Sequence, residues 1–104
     1  MVVLPKRAVY IPSAFSPDND GINDIFQIFA RPGIVENIHT FQIFDRWGNL
    51  LFEQTDFLPN NPSFGWDGIF RGKLMNNAVF AWYAQIEFID GETELFEGDV
   101  TLLK

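Results

Sequence analysis

The chain has 104 residues, is 47% hydrophobic with 12 phenylalanines and 3 tryptophans, and carries a formal net charge of −7. This length fits one domain with one core, and the apolar content excludes a disordered chain. The acidic balance argues against a nucleic-acid or anionic-membrane surface, and the lack of cysteine excludes disulfides and thiolate zinc ligands. No apolar run is long enough to span a membrane. The opening residues do not have the pattern of a signal peptide, so we expect the chain to be a piece of a longer protein.

Turn-forming residues recur at short intervals, and the stretches between them are rich in aromatic and β-branched residues. The absence of crossover helices and this spacing predict an all-β fold, an immunoglobulin-like antiparallel β-sandwich of about seven strands. We find neither a repeat nor a linker and expect one domain over residues 1–104. The predicted turns are 17–21, 31–33, 48–49, 59–63, 65–68, 76–77 and 90–91.

The first strands in chain order are predicted at 8–11 and 25–30. Residues 34–38 come closest to a helical period but are too few for a helix. A strand at 41–47 alternates apolar and polar residues, and the Gly-Asn turn after it predicts a hairpin with 50–54.

The longest strand is predicted at 79–90, where five large or apolar residues share one face. Asp90 and Gly91 favour a tight hairpin turn. In the last strand, DVTLLK, Val100 and Leu102 point one way while Thr101 and Leu103 point the other.

The sequence contains few candidate catalytic residues. His39 is the single histidine and has no evident activating partner in the sequence, so we interpret it as a surface or packing residue. No pair of carboxylates has the spacing of an acid and a base. The glycines of GWDGIFRGK lack the strand–loop–helix context of a phosphate loop. We therefore predict a protein that is not an enzyme.

The loop SPDNDGINDIF, residues 16–26, is the best candidate for a bound ion. Calcium loops of the DxDxDG type place oxygen ligands at alternate positions before a glycine, here Gly21. Carboxylates so close together repel one another, and no Lys or Arg nearby in sequence neutralises them. The alternative is a turn braced by its own side chains. A calcium ion would be structural, and no cofactor is required otherwise. The predicted ligands are Ser16, Asp18, Asp20, the Ile22 carbonyl and Asp24.

The three tryptophans suggest carbohydrate binding as a second possible function, because exposed aromatic rings stack on sugars. We nevertheless expect Trp47, Trp66 and Trp82 each to pack in or at the core. Arg46 is expected to pair with a carboxylate across the sheet.

Four stretches together resemble one family: IPSAFSPDNDGINDIF, FQIFDRWGNLLFE, GWDGIFRG and EGDVTLLK. They are similar, in order and spacing, to the gliding-motility-associated (type-B) C-terminal domain of the Bacteroidota type IX secretion system. The resemblance covers residues 10–104. Two departures are DNDG where the family has NGDG, and NNAVFAWY where it has Pro-x-Gly before Val-Tyr.

The resemblance implies a non-enzymatic sorting domain, fused to an exported cargo and recognised by outer-membrane translocon or surface-anchoring proteins. It implies a secreted or cell-surface location. The last strand would be the edge that a partner grips by strand addition, and the DRWG and WDG turns are more weakly implicated because their glycines suit structural turns. The alternatives are a carbohydrate-binding or adhesive sandwich and a structural spacer. The predicted recognition residues are Gly98, Val100, Thr101, Leu102, Leu103 and Lys104, and the motif turns comprise Asp45, Arg46, Trp47, Gly48, Trp66, Asp67 and Gly68.

Overall fold

The computed structural model describes residues 8–18, 20–21 and 23–103. This part of the chain contains nine strands and includes a 3₁₀ turn at Pro62–Phe64. The strands are β1 (Val9–Tyr10), β2 (Ala14–Phe15), β3 (Phe29–Ala30), β4 (Val35–Phe44), β5 (Leu50–Phe57), β6 (Ile69–Phe70), β7 (Lys73–Leu74), β8 (Ala78–Phe88) and β9 (Thr93–Leu102).

One five-stranded sheet, in the order β2-β9-β8-β4-β5, forms the main layer. The small pairs β1–β3 and β6–β7 are separate two-stranded sheets, and an isolated bridge joins Phe26 to Trp66. Strand pairing is antiparallel except between β2 and β9, which run parallel. The sandwich-like all-β fold is confirmed, with nine strands rather than about seven in the described part of the chain.

The core lies against one face of the main sheet. On β8 the residues at alternate positions from Phe80 to Phe88 are buried, as the sequence pattern predicted. Val100 and Leu102 of β9 join them with no exposed surface. Because strand side chains alternate between faces, the opposite face of this sheet carries the half-buried and exposed residues.

Both long hairpins have the predicted turns. The turn between β4 and β5 includes Gly48 with φ 85°, and the turn between β8 and β9 includes Gly91 with φ 89°. Two predictions of extent were wrong. The strand predicted at 41–47 is β4, which begins at Val35 and ends at Phe44. The segment predicted as a strand at 25–30 pairs only at Phe26 and at β3.

Candidate recognition surfaces

The terminal strand is not a free edge over its last residues. β2 pairs with it in parallel, and the N–H groups of Thr101 and Leu103 donate to the carbonyls of Ser13 and Phe15, each at 2.9 Å. The expectation of an open edge at 100–104 is therefore wrong where the structure describes it, and Lys104 lies outside the described residues. The covering strand comes from the IPSAF segment, whose pairing partner the sequence does not reveal.

Side chains of the terminal strand divide between core and surface. Val100 and Leu102 are fully buried, whereas Leu103 is 48% exposed and Thr101 is half-buried. A Cβ at Gly98 would lie 3.0 Å from Cζ2 of Trp82, so this glycine makes room for the indole ring. Of the predicted recognition residues described here, Thr101 and Leu103 are the ones whose side chains reach the surface.

The acidic loop brings three of its predicted ligands together. Asp18, Asp20 and Asp24 each offer one carboxylate oxygen, and these atoms all lie within 4.8 Å of one another. The Oγ of Ser16 donates to the carbonyl of Leu103 at 2.7 Å, which ties the loop to the terminal strand. Ile22 lies outside the described residues. The ligand set of Ser16, Asp18, Asp20 and Asp24 stays a prediction.

Backbone groups brace the same loop. The N–H of Asp20 donates to Asp18 Oδ1 at 3.2 Å, and that of Gly21 donates to Asp24 Oδ2 at 2.8 Å. The Asp20 N–H lowers the pKa of the Asp18 carboxyl, but desolvation and the neighbouring Asp20 and Asp24 carboxyls outweigh it and raise that pKa above 3.8. The loop therefore combines the two predicted features, a braced turn and mutual repulsion of carboxylates.

The DRWG turn is held by Asp45. Its Oδ1 accepts from the backbone N–H groups of Trp47 and Asn49, and its Oδ2 accepts from Asn49 Nδ2, all at 2.9 Å. The bond from the Asn49 side chain, with these backbone bonds, lowers the pKa of Asp45. Gly48 supplies the positive φ that the turn requires.

Trp47 projects from this turn and is 73% exposed, so the expectation that it packs at the core is wrong. The chain leaves the strand at Phe44, and alternation of faces no longer applies beyond that point. The Arg46 guanidinium lies 4.6 Å from the Trp47 ring centre instead of pairing with a carboxylate across the sheet. Trp66 and Trp82 are buried as expected, which leaves Trp47 as the one tryptophan able to stack on a sugar.

The WDG turn belongs to the core. Trp66 is 1% exposed, its Nε1 donates to the Ile69 carbonyl at 3.0 Å, and Asp67 Oδ1 accepts from the Ile69 N–H. Gly68 has φ 84°, and a Cβ there would lie 3.0 Å from Leu102 Cδ1. The turn therefore lies in the core, with Gly68 beside Leu102 of the terminal strand.

A cleft of about 750 Å³ adjoins the DRWG turn. It is lined by Val79 and Ala81 of β8 and by Lys73 and Leu74 of β7. The Val79 side chain is 53% exposed. None of the predicted functional residues is among these four. Their alternation with the buried Phe80 and Trp82 is the signal that places Val79 and Ala81 on the outer face.

His39 has a partner that the sequence did not suggest. Its Nε2 lies 2.8 Å from Glu87 Oε1, and its Nδ1 lies 3.2 Å from the Asn37 amide, which also donates to Asp56. The His39 and Glu87 side chains are 39% and 31% exposed. This is a polar network at the sheet surface, consistent with the surface interpretation of His39.

The structure contains no helix, within the residues it describes, that is long and apolar enough to cross a membrane. A search among functionally described proteins finds no match. The profile of the family described as "CHU_C Type IX secretion signal domain" matches residues 9–102. This match spans all nine described strands and both motif turns. The chain therefore belongs to the CHU_C type IX secretion signal domain family.

Proposed function

We propose that this domain is the C-terminal sorting and anchoring unit of an exported protein, carries a fused cargo through the outer membrane and helps to retain it at the cell surface. Family membership over residues 9–102 carries this proposal, because it implies recognition by secretion machinery and a fused cargo. A secretion-signal family is in general non-catalytic, and the half-exposed pair of His39 and Glu87 gives no reason to depart from that.

The terminal strand connects the proposed role to the fold. Val100 and Leu102 anchor the strand in the core, and β2 covers its last residues. Thr101 and Leu103 then remain as surface positions that a translocon component or anchoring protein reads by their side chains. Deleting residues 98–104 would remove two fully buried side chains, so lost export would not distinguish failed recognition from failed folding.

The test is export of a fluorescent reporter that carries this domain at its C-terminus and an ordinary inner-membrane export signal, in a Bacteroidota host. We expect reporter at the surface or in the medium, and loss of it when the secretion machinery is disabled. Reporter that stays in the periplasm of a competent host would contradict the sorting function.

Point variants separate recognition from folding. Leu103→Ser changes a 48% exposed side chain directly after β9, and Leu58→Ser makes the same change at a 56% exposed position before the 3₁₀ turn. We expect lower export for Leu103→Ser and unchanged export for Leu58→Ser, with similar melting temperatures for both. Equal export by the two variants would show that the terminal side chains are not read.

We also propose that a calcium ion neutralises the acidic loop. The approach of the Asp18, Asp20 and Asp24 oxygens within 4.8 Å supports it, because hard cations prefer such carboxylate sets. An ion that binds only the folded state raises stability by mass action. We expect the melting temperature to rise with calcium and fall with chelator, and expect Asp20→Asn to weaken this response. A melting temperature that does not change with calcium would contradict the ion site, and the loop would then be only a turn braced by its own side chains.

A further inference from the structure

Among the described residues, no strand pairs with the outer side of β9 over residues 93–99. The register between β8 and β9 is regular, without a bulge from Ala78↔Leu102 to Glu87↔Thr93. Since Thr101 and Leu103 donate outward to the β2 segment, the odd-numbered residues of β9 direct their N–H groups away from β8. In the described part of the chain no strand accepts from Leu95, Glu97 or Asp99 on that side. The backbone there is ready to pair with another strand.

This open edge is strongly acidic. Residues 92–99 contain four carboxylates and no Lys, Arg or His. Among the described residues none of the four forms an ion pair, and Glu94 Oε2 is buried without a hydrogen-bond partner. A buried carboxylate oxygen without a partner is unfavourable, and a cationic side chain on an added strand would satisfy it. The four residues are Glu92, Glu94, Glu97 and Asp99.

We propose that residues 93–99 of β9 are a docking edge for an extended segment of a partner that carries Lys or Arg side chains. The inference rests on the proposed sorting function, which makes the partner a component of the export or anchoring machinery. Backbone hydrogen bonds would supply affinity, and the acidic side chains would select the basic segment. Leu95, which is 58% exposed on the outer face, offers an apolar contact to the same segment.

Two other arrangements fit the edge less well. A second copy of this chain paired through this edge would bring its own carboxylates next to Glu94, Glu97 and Asp99, and like charges on facing strands destabilise a sheet. The other outer strand of the sheet, β5, is less suitable, because Glu53 is bonded to Gln42 and Asp56 has a positive φ of 53° near the end of the strand. The β9 edge thus has the clearer complementarity to a basic strand.

Proline at position 97 tests the edge in the export assay. Glu97→Pro removes an outward N–H and leaves the hydrogen bonds to β8 in place, which edge strands tolerate. Alternation across β8 and β4 gives Glu53 the same outward orientation on β5, so Glu53→Pro is the matched control. We expect Glu97→Pro to lower export about tenfold or more, the equivalent of about 1.4 kcal/mol, and Glu53→Pro to export normally.

Charge is tested separately. Glu97→Lys is expected to lower export, whereas Glu36→Lys, at an exposed position of β4, makes the same change in net charge and serves as its control. Melting temperatures near that of the wild type would show that each variant folds. Normal export of folded Glu97→Pro would overturn the proposal, and the carboxylates would then serve only to keep sheet edges apart.

Peptide binding to the isolated domain tests the docking edge independently of export, and so also applies if the reporter is not exported. The probe is a synthetic seven-residue peptide that alternates Lys with Val and Thr, and its counterpart has Glu in place of Lys. We expect the Lys peptide to slow amide hydrogen exchange at Leu95, Glu97 and Asp99 about tenfold, and the Glu peptide to leave it unchanged. Unchanged exchange with both peptides would overturn the docking edge, even if the reporter is exported. Self-association through β9 would overturn the choice of a basic partner.

Discussion

The turns at 45–48 and 66–68 both combine an aspartate, a tryptophan and a glycine, yet they place the tryptophan in opposite environments. Trp47 is 73% exposed and Trp66 is 1% exposed. The first turn lies at the tip of a hairpin, beyond the last paired residues of β4, while the second is bridged through Trp66 to the backbone of Phe26. Both turns are shaped locally, by hydrogen bonds from backbone N–H groups to the aspartate side chain and by the positive φ of the glycine. Pairing with a distant segment decides which tryptophan enters the core.

The largest effect is expected from removing the buried ring. Trp66→Ala deletes a side chain that contacts Phe15 and Phe80 and donates to the Ile69 carbonyl. Large-to-small changes of buried aromatics cost about 3–5 kcal/mol, and we expect a loss of that size in the free energy of unfolding measured with denaturant. A loss below about 1 kcal/mol, within the range of surface changes, would mean that the WDG turn is not a core element.

The glycines of the two turns have similar backbone angles but different surroundings. Gly48 and Gly68 have φ values of 85° and 84°, but a Cβ meets nothing within 4 Å at Gly48 and meets Leu102 at 3.0 Å at Gly68. Gly48→Ala should therefore cost about 1–2 kcal/mol from backbone strain alone, and Gly68→Ala should cost more because Leu102 must also move. Denaturant unfolding of the two variants measures the difference, and equal losses would show that Leu102 yields freely.

The sequence predicts the parts of this fold that local rules determine. The alternation on β8 and the Gly-containing hairpin turns follow from side-chain period and backbone angles, and both are confirmed. The parallel pairing of β2 with β9 joins residues far apart in the chain, and no local pattern encodes it. The open edge at 100–104 was predicted wrongly for that reason, since its covering strand lies near the other end of the sequence.

In the candidate recognition surfaces, too, contacts between residues close in sequence were predictable and contacts between distant residues were not. Asp18, Asp20 and Asp24 are close in sequence, and their approach in space was predictable from their spacing around Gly21. The partner of His39 was not predictable, because Glu87 lies 48 residues away and a bulge in β4 brings the two side chains together. Trp47 was misplaced because strand alternation was extended past Phe44 into a turn that Asp45 controls.

The aspartates of the two turns should differ in a way that pH reveals. Asp45 accepts three bonds in its turn and Asp67 accepts one, so Asp45→Ala should lower the melting temperature more than Asp67→Ala. The folded-state pKa of Asp45 is lowered from 3.8 by its bonds to Asn49 and the turn backbone. Its stabilisation is therefore present above pH 3.8 and is lost as pH falls through the lowered pKa.

Melting curves at neutral pH and in acid test this directly. The difference between wild type and Asp45→Ala should shrink as Asp45 becomes protonated. A difference that stays constant into acid would show that the neutral carboxyl holds the turn as well as the carboxylate does.

The smallest change in stability is expected at the exposed ring. Trp47→Ala removes a ring that is 73% exposed and its contact with the Arg46 guanidinium, and an exposed cation–π contact is worth about 0.5–1 kcal/mol. We expect the free energy of unfolding to change by no more than that, while acrylamide quenching of the native fluorescence falls sharply because Trp66 and Trp82 are shielded. Quenching that persists in Trp47→Ala would contradict the burial of the other two rings. Burial of Trp47 in the wild type would also remove the contrast between the two turns, because both tryptophans would then belong to the core.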